Sequence, residues 1–460
     1  MTVKSDVDDP QKEPRVGSDS DLVAVILEQR TVIAQLQKRV RELEQQLGLG
    51  GPKPPSVVAK PAAPRQDRKS RKPRSVNFSR PKEASTNSVA HFPETCPDCG
   101  RYLSGGSPGR TRQIVDIEPS SVRITDHVLY ERWCGVCGKR VRAKVDFSNL
   151  VCGRRRIGHN LVGWIASLHI EARVPLRQIQ AILQQTHGVH ISEGEMIDLL
   201  ALVAQKSATR IESIKEQVRS ASCLHADETG WKENGAYKCL WSLSTRTARL
   251  FHIDDSRSAQ VAQDLIGPSF AGTLVTDFYY AYNQIPGRHQ RCWAHFYRAL
   301  ELLREHAHAD PLLHNWIDAV IALWRRGRDY RQFCLTKPRF GASVFDRRRK
   351  RRELERQIWA LAEPFIEADS AQVPQATLAK RIGMFLGELF TFVEYPEVPD
   401  DNNPAERAIR PAVIIRKVCG GTRSPKGTRV KATLMSLFAT WKLEGKDTLQ
   451  ECTSLLRAPA

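Results

Sequence analysis

The sequence lacks the long apolar segments that a membrane protein needs. No apolar run approaches the about 18 residues that span a bilayer, and residues 1–10 do not show the charged-then-apolar order of a secretory signal. We therefore expect a cytosolic protein for which a membrane is not a partner. In a reducing cytosol the 11 cysteines should stay reduced, so close cysteine pairs are expected to bind metal rather than form disulfides.

Acidic residues are also too few to balance the basic ones. Lys and Arg number 70 against 51 Asp and Glu, which gives a formal net charge of +19 and a pI near 9.6. This excess favours a polyanionic partner such as DNA, although a basic protein without a nucleic-acid role is the alternative, since net charge indicates only non-specific attraction. The 460 residues, 41% of them hydrophobic, predict a multidomain chain with buried cores.

The N-terminal part shows a short heptad pattern followed by a basic segment. Ile26, Ile33 and Val40 share one heptad position, and Leu36 and Leu43 share the other. This predicts a coiled coil over residues 20–47 and a homo-oligomer, with a single amphipathic helix packed on its own chain as the alternative. Residues 48–90 are rich in Lys, Arg and Pro, which predicts a disordered linker that serves as a spacer or as a phosphate-contacting arm.

Two Cys-x-x-Cys pairs lie within residues 91–150, which we interpret as a zinc-binding domain. The pairs are Cys96 with Cys99 and Cys134 with Cys137, and a glycine follows the second cysteine of each. Four thiolates can close a tetrahedron around one Zn²⁺ and leave no open position for water, so the predicted zinc is structural. A chance coincidence of unrelated cysteines is the alternative. Residues 123–133 resemble a strand that leads into the second pair.

Residues 155–215 show helical periodicity. Apolar residues at 161–168, 176–183 and 196–200 predict three short helices. Such a unit is similar to a helix-turn-helix DNA-binding domain, and the run of arginines at 154–156 favours this interpretation. A plain helical bundle that joins two domains explains the same residues.

Residues 220–296 read as alternating strands and helices that end in acidic residues. Asp227 and Asp277 each come at the predicted end of a strand. Three antiparallel strands, a crossover helix and a parallel strand would bring the two acids together, as in a ribonuclease-H-like mixed sheet. Taken singly, each Asp is more often a turn or a helix cap.

A third acidic residue, Glu406, lies within residues 396–456 on a helix that the sequence at 401–404 should open. Asn can cap such a helix and Pro404 suits its first turn. We interpret Glu406 as a metal ligand and the basic residues after it as contacts to the DNA backbone; an intrahelical ion pair with Arg410 is the alternative. The residues expected to bind DNA, including those of a flexible loop at 420–427, are Arg407, Arg410, Arg416, Lys417, Arg423 and Lys426.

Taken together, these motifs resemble those of a known family, the DDE transposases of the bacterial insertion-sequence sixty-six group. The resemblance covers most of the chain. It rests on the heptads, the cysteine pairs and the segments at 227–231, 277–283, 290–295, 402–407 and 420–427. One departure is Phe278, where relatives commonly have Gly after the second Asp.

The resemblance implies a bacterial, nucleoid-associated DNA transposase that binds terminal inverted repeats and transfers strands into target DNA. Asp227 would bridge two Mg²⁺ ions, and Asp277 and Glu406 would each complete one metal site. The ribonuclease-H-like core would be interrupted by an all-helical insertion over residues 297–395, and accessory proteins of the same element are possible partners. Cys292 and His295 match a pattern found in relatives with such insertions. They are expected either to have an accessory catalytic role or to belong to the core.

Two other functions stay open from the sequence. One is a transposon-derived, zinc-containing DNA-binding regulator without catalysis, and the other is a metal-dependent nuclease that does not join DNA. The arginine-rich run at 347–352 is expected to be either a solvated helix face or a further contact to the DNA backbone.

Overall fold

The computed structural model describes residues 35, 84–85, 87–107, 112–114, 122–306, 310–336 and 342–458. The chain divides into two units, Met1–Ile114 and Val115–Ala460. The predicted coiled coil at 20–47 lies outside the described residues, except for residue 35. The predicted linker at 48–90 also lies outside them, except for residues 84–85 and 87–90. In the described part of the chain, every helix is too short or too polar to cross a membrane.

The first unit contains the first cysteine pair in a tight turn. The amide of Gly100 donates to the carbonyl of Cys96, and the amide of Cys96 donates to the carbonyl of Arg101, each at 2.9 Å. Gly100 has a φ of 71°, a conformation that glycine adopts without steric cost. Thr95 and Tyr102 form a β-bridge across the turn. The glycine after the pair is therefore required by the backbone.

The second cysteine pair lies in the hairpin between β1 (Glu131–Cys134) and β2 (Lys139–Arg142). The strands are antiparallel, with Cys134 opposite Lys139, and Gly138 in the turn has a φ of 58°. The predicted strand at 123–133 is therefore correct only for its last residues, because the described residues before Glu131 are irregular.

Four helices follow the hairpin: α1 (His159–Ile170), α2 (Leu176–His187), α3 (Glu193–Lys206) and α4 (Ala208–Arg219). The first three coincide with the three segments whose periodicity predicted helices, and α4 was not predicted. α2 ends at Gly188 with a φ of 66°, and the Ser192 hydroxyl caps α3 by accepting from the Glu195 amide at 3.1 Å.

A five-stranded mixed sheet forms the centre of the second unit. Its strands are β3 (Cys223–Glu233), β4 (Ala236–Ser244), β5 (Arg249–Asp254), β6 (Thr273–Thr276) and β7 (Arg288–Arg291), and α5 (Ala259–Ile266) connects β5 to β6. The spatial order is β5-β4-β3-β6-β7, with β3–β4 and β4–β5 antiparallel and β3–β6 and β6–β7 parallel. Asn234 and Gly235, with φ of 48° and 86°, turn β3 into β4.

Helices occupy the chain between β7 and the C-terminal segment. They are α6 (Trp293–His306), α7 (Pro311–Thr336), α8 (Val344–Ile366), α9 (Ala376–Met384), α10 (Leu386–Leu389) and α11 (Thr391–Glu394). They share an apolar core that includes buried Trp316, Leu323 and Ile358. Trp293 and Trp324 stack with ring centroids 5.8 Å apart, which joins the start of α6 to α7.

The last three helices are α12 (Asn403–Cys419), α13 (Pro425–Leu443) and α14 (Thr448–Arg457). Side chains alternate between the two faces of the sheet, as the strand period of two requires. On one face, Trp231, Leu240 and Phe251 belong to a core cluster with residues of α12 and α13. On the other face, Leu224, Trp241 and Leu250 belong to a cluster with residues of α4 and α5.

The segment at 420–427 differs from the predicted flexible basic loop. α13 already begins at Pro425, and the Ser424 hydroxyl caps it by accepting from the amide of Gly427 at 3.2 Å. Thr422 is buried and accepts a hydrogen bond from the Trp231 indole at 3.1 Å, so Trp231 belongs to the core. Gly421 has a φ of 90°, and a Cβ there would meet the Lys232 carbonyl oxygen at 2.1 Å. Close contact with β3 therefore requires this glycine.

Candidate active site

Asp227 and Asp277 come from neighbouring parallel strands. Asp227 lies within β3, so the prediction that it ends a strand is wrong, whereas Asp277 directly follows β6. His225 on β3 lies opposite Val275 on β6, and each aspartate is two residues beyond this pair. Neighbouring strands lie about 4.8 Å apart, so the register places both acids at one position of the sheet. The carboxylate of Asp277 accepts from the Tyr279 amide at 2.9 Å.

The side chain of Asn402 connects the start of α12 to the sheet. Asn402 is 1% exposed, its amide donates to the carbonyl of Ala226 at 2.7 Å, and its oxygen lies 3.1 Å from Nδ1 of His225. Its backbone amide donates to Sγ of Cys292 at 3.1 Å, and the Cys292 amide donates to the carbonyl of Thr276 at 2.8 Å. These bonds hold the first turn of α12 beside the residues that precede both aspartates.

The expected capping of α12 is only partly correct. Asn402 occupies the N-cap position and Pro404 lies in the first turn, as the sequence indicated, but the Asn402 side chain makes no capping bond. It bonds to β3 instead, because a buried amide must satisfy its hydrogen bonds where partners are available. No local pattern in the sequence indicated this long-range contact.

Glu406 lies in the first turn of α12 and pairs with residues of α6. Its Oε1 is 3.1 Å from the Arg298 guanidinium and 3.6 Å from Nδ1 of His295. Among the described residues, Arg298 is its ion-pair partner, with the His295 ring beside it, and the alternative intrahelical pair with Arg410 is not formed. The ligand atoms of Cys292, His295 and Glu406 lie within 4.8 Å of one another, so the three could hold a metal ion.

Burial keeps His295 and Cys292 neutral. The pKa of His295 is lowered, first by burial and then by the charge of Arg298. Burial raises the pKa of the Cys292 thiol to about 11. Nδ1 of His295 is buried and has no hydrogen bond among the described residues. A neutral imidazole with a free nitrogen can bind a cation or accept a proton, whereas the Cys292 thiol already accepts from Asn402.

The electrostatics of Asp227 indicate that several acidic groups converge. The pKa of Asp227 is raised to about 7, first by burial and then by the negative charges of Glu228, Asp277 and Glu406. The Glu228 amide, at 2.9 Å, partly offsets this effect. A buried carboxylate surrounded by like charges is unfavourable unless a cation neutralises it. Carboxylate oxygens are the ligands that Mg²⁺ prefers. Among the described residues, however, the ligand atoms that lie within 4.8 Å of one another belong to Cys292, His295 and Glu406, and Asp227 and Asp277 are not part of that group.

Arg291 fixes the turn that carries Asp277. This fully buried side chain donates to the carbonyl of Asp277 at 3.0 Å and to the amide oxygen of Asn283 at 2.7 Å. It also pairs with Glu388 on α10 at 2.5 Å. Phe278, the departure from the family pattern, packs on Phe385 with ring centroids 5.4 Å apart. The Phe278 side chain, which is larger than the Gly common in relatives, thus packs between the turn and the helical segment.

Glu228 is a charged group that sequence reasoning missed. Its neighbour Asp227 faces one side of β3, and Glu228 faces the other, where its side chain is 2% exposed. It accepts from the Tyr282 hydroxyl and pairs with Arg257, each at 2.5 Å. Burial raises the pKa of Glu228 despite these partners. Its position beside Asp227 was the available signal, but only the tertiary contacts distinguish it from a surface residue.

The six residues expected to contact DNA differ in exposure. Arg407, Arg410, Lys417, Arg423 and Lys426 are exposed, as a phosphate-contacting surface requires. Arg416 is half-buried and donates to the carbonyl of Gly230 on β3. Arg416 therefore anchors α12 to the sheet, which sequence spacing could not indicate.

The described parts of the two cysteine pairs are preorganised for metal. The pKa of Cys96 is lowered by hydrogen bonds from the amides of Asp98 and Cys99. The pKa of Cys134 is lowered in the same way by the amides of Cys137 and Val136, and the first of these lies 3.5 Å from Sγ. Such bonds favour the thiolate, which is the form that binds zinc.

Comparisons with known proteins agree with these features. Residues 154–430 match the model described as "Transposase IS66 family", and residues 93–138, which contain all four cysteines, match "zinc-finger binding domain of transposase IS66". Two relatives come from Sinorhizobium fredii (strain NBRC 101917 / NGR234). The uncharacterized protein y4qI is 26% identical over 323 residues, and the uncharacterized protein y4jO is 29% identical over 160 residues.

These relatives are matched only in part. The first match covers 63% of this chain and 57% of y4qI, and the second covers 35% of this chain and 45% of y4jO. The chain thus spans about half the length of the curated relatives that it matches.

Asp227→Asn should stabilise the metal-free protein at pH 8. The pKa of Asp227 rises from 3.8 to about 7 in the fold, so its carboxylate destabilises the native state increasingly as pH rises from 4 to 7. The gain should approach at most about 4 kcal/mol at pH 8 and disappear near pH 4. Urea unfolding over this pH range measures it, with exposed Asp264→Asn as the unchanged control. Mg²⁺ should stabilise the wild type more than the variant; equal stabilisation would contradict the assignment of Asp227 as a ligand.

Asn402→Leu should destabilise the fold and weaken Mg²⁺ binding together. The change leaves the Ala226 carbonyl and the His225 ring without a buried partner, at a cost of about 1–3 kcal/mol for each group. It also frees the first turn of α12, which carries Glu406. Chemical unfolding and Mg²⁺ titration calorimetry test this against Asn403→Ala. Loss of stability with unchanged Mg²⁺ affinity would show that Asn402 does not position the metal ligands.

Proposed function

The chain belongs to the IS66 family of transposases, and from this membership we propose that it is a DNA transposase whose Asp227, Asp277 and Glu406 hold two divalent metal ions. The observation that most supports the proposal is electrostatic. The charges of Asp277 and Glu406, 50 and 179 residues further along the chain, both raise the pKa of Asp227. Acidic groups that distant in sequence converge at a cost in stability, which a cation-binding function explains.

We assign the sheet to the ribonuclease-H-like class. Three antiparallel strands are followed by the crossover helix α5 and by two parallel strands, and two acids come from the central neighbours β3 and β6. Helices α6–α11 then interrupt the chain before Glu406, in agreement with the helical insertion that the resemblance implied. The assignment would explain how three distant motifs contribute to one site.

The chemistry is phosphodiester exchange. When bound, two Mg²⁺ ions would supply a nucleophile at neutral pH and stabilise the leaving oxygen of an in-line displacement. Water would first break the bond between phosphorus and the 3′ oxygen at each element end and leave a 3′-hydroxyl. That hydroxyl would then attack target DNA and release a target 3′-hydroxyl. Each step exchanges one phosphorus–oxygen bond for another, so neither an energy source nor a protein–DNA intermediate is needed.

The surrounding residues have positioning roles in this proposal. Asn402 and Arg291 hold the backbone that carries the acids. Arg257 pairs with the neighbouring Glu228, and Tyr282 donates a hydrogen bond to it. His295 lies 3.6 Å from Glu406 and has a lowered pKa, so it stays neutral near pH 7 and can accept a proton near the reacting phosphate. Arg298, paired with Glu406, would be released toward DNA when a metal takes the carboxylate.

The exposed basic residues of α12 and α13 would hold the DNA backbone. Lys426 shares a cleft of about 350 Å³ with Arg155 and Arg429, so the arginine run at 154–156 and the start of α13 meet. Two arginines and one lysine in one cleft suit a phosphate chain, although Asp198 also lines it. The helices α1–α4 would thus belong to the DNA-binding surface, in agreement with the helix-turn-helix-like interpretation.

Three further parts of the proposal rest on the sequence and on the matched zinc-finger model. Cys96, Cys99, Cys134 and Cys137 would hold one structural Zn²⁺, the heptads at 20–47 would join copies of the chain, and accessory proteins of the same element would assist. A nuclease without joining activity and a DNA-binding regulator without catalysis are the competing functions. They share the DNA surface with the transposase and differ in the chemistry.

Asp277→Asn should abolish DNA joining and leave end binding intact. Removing a metal ligand removes stabilisation of transition-state charge, so the rate should fall at least about 100-fold. The measurement is Mg²⁺-dependent joining of a labelled oligonucleotide, carrying the inverted repeats that flank the coding region, to a plasmid. Asp264→Asn is the matched control. Cleavage without joining by the wild type would support the nuclease, and tight end binding with neither reaction would support the regulator.

Cys96→Ser should release zinc, because a three-thiolate set cannot close the tetrahedral site. Elemental analysis after dialysis should find one zinc per chain in the wild type and in Cys419→Ser, and little in Cys96→Ser. Limited proteolysis should then cut within residues 91–150 of the variant, since structural zinc supplies folding energy. Unchanged zinc in Cys96→Ser would refute the four-cysteine assignment.

A further inference from the structure

A groove of about 720 Å³ lies along α8 in the helical insertion. Phe345, Arg349, Arg352, Arg356 and Trp359 line it, and their spacings of 4, 3, 4 and 3 residues place them on one face of the helix. Arg348 and, from α10, Leu386 complete the same lining. The arginine run at 347–352 is thus only partly a solvated face, because it combines with aromatic residues that the run itself does not contain.

Positive charge exceeds negative charge in the groove, whose lining has four arginines and one acid, Glu355. Arg348 pairs with Glu394 at 3.0 Å, and Arg349 is 3.5 Å from Asp346. For Arg352 and Arg356, both exposed, the described part of the chain offers no ion pair or hydrogen bond. The groove also contains Glu355, but this carboxylate already pairs with Arg351 at 2.8 Å. Unpaired guanidinium groups in a concave surface attract a polyanion.

The aromatic residues of the groove present rings without aromatic neighbours. Phe345 is 80% exposed, although it lies at the start of a well-formed helix capped by Ser343. Trp359 is half-buried, and its ring lies close to Gly383, where a Cβ would be 3.6 Å away. Among the described residues neither ring makes an aromatic contact. Aromatic rings at both ends of a row of arginines form a surface on which an unpaired base can stack.

Direct contacts join this groove to the candidate active site. Leu386 of the lining follows Phe385, whose ring packs on Phe278 directly after Asp277. Two residues further along α10, Glu388 pairs with Arg291, which in turn holds the Asp277 carbonyl. A strand bound in the groove would therefore lie on the same rigid scaffold as the second acid of the triad.

We propose that this groove binds an unpaired DNA strand, with bases stacked on Phe345 and Trp359 and phosphates held by Arg349, Arg352 and Arg356. The inference rests on the proposed function for the origin of that strand, which is DNA that continues from the phosphodiester at the acidic site. The volume of the groove lies in the range of about 300–1,000 Å³ that is typical of pockets for small molecules. Such a volume suits a few nucleotides and not a turn of duplex. Bases in a duplex stack on each other and leave no face for Phe345.

The experiment measures binding of a labelled single strand of about 12 nucleotides by fluorescence anisotropy, without Mg²⁺. Phe345→Ala should weaken binding roughly tenfold, since one base loses its stacking partner. The double variant Arg352→Ala/Arg356→Ala should reduce the slope of log Kobs against log salt by about 1.4. Leu312→Ala, which removes an 81% exposed side chain from α7, and Arg325→Ala, also on α7, are the matched controls and should bind as the wild type does.

Three results would overturn the groove assignment. The first is that the groove variants and the control variants change strand binding equally. The second is that Phe345→Ala weakens binding of a duplex of the same length as much as binding of the single strand. The third is that polyglutamate displaces the strand from the wild type and binds in a way that also depends on Phe345. Because the assay needs no catalysis, its failure is separate from failure of the proposed function. Joining activity together with strand binding that does not depend on Phe345 would refute the groove assignment and leave the proposed function intact. Strand binding that depends on Phe345 without joining activity would refute the proposed transposase activity and support the single-strand site.

Discussion

The structure depends on a buried amide that holds like charges close to one another. Carboxylates at the end of β6, within β3 and on α12 repel each other, so they cannot organise their own convergence. The side chain of Asn402 does this instead, because it bonds to β3 while its backbone amide bonds to the thiol of Cys292. A buried polar group that loses its partners costs free energy. The fold therefore keeps α12 in this position even though the acids oppose it.

This arrangement links stability to the proposed activity in opposite directions. Burial and neighbouring charges raise the pKa of Asp227 to about 7, so the carboxylate that would serve a metal also destabilises the metal-free fold. Hydrogen bonds and an ion pair of the surrounding groups offset part of this loss of stability. Arg291 is fully buried and fixes the Asp277 turn, and Glu228 on the opposite face of β3 pairs with Arg257 and accepts a hydrogen bond from Tyr282. Divalent ions would relieve the repulsion and stabilise the protein where it acts.

The helical insertion contributes to the site and is more than an addition to the sheet. Gln290, at the end of β7, donates to the Leu389 carbonyl at 3.1 Å and accepts from the Phe392 amide at 2.9 Å. Trp324 on α7 donates to Asp400 at 2.7 Å, next to the start of α12. These bonds run through buried groups, so displacement of the insertion would disturb the acids. The same scaffold carries the arginine and aromatic groove, so in the proposed function one scaffold would hold both a reacting phosphate and the strand that continues from it.

The sequence by itself predicted most of the helices and strands and led to the proposal of which acids form the site. Periodicity located α1–α3 and the strands, and the motifs around Asp227, Asp277 and Glu406 indicated the family, because apolar spacing and short motifs are local properties of the chain. Only the tertiary structure decided where β3 ends, that α13 begins within the expected basic loop, and that Asn402 and Arg416 bond to β3 instead of serving as a cap and a DNA contact. The partners of buried polar groups come from distant parts of the chain. Their choice follows from packing, which no local pattern encodes.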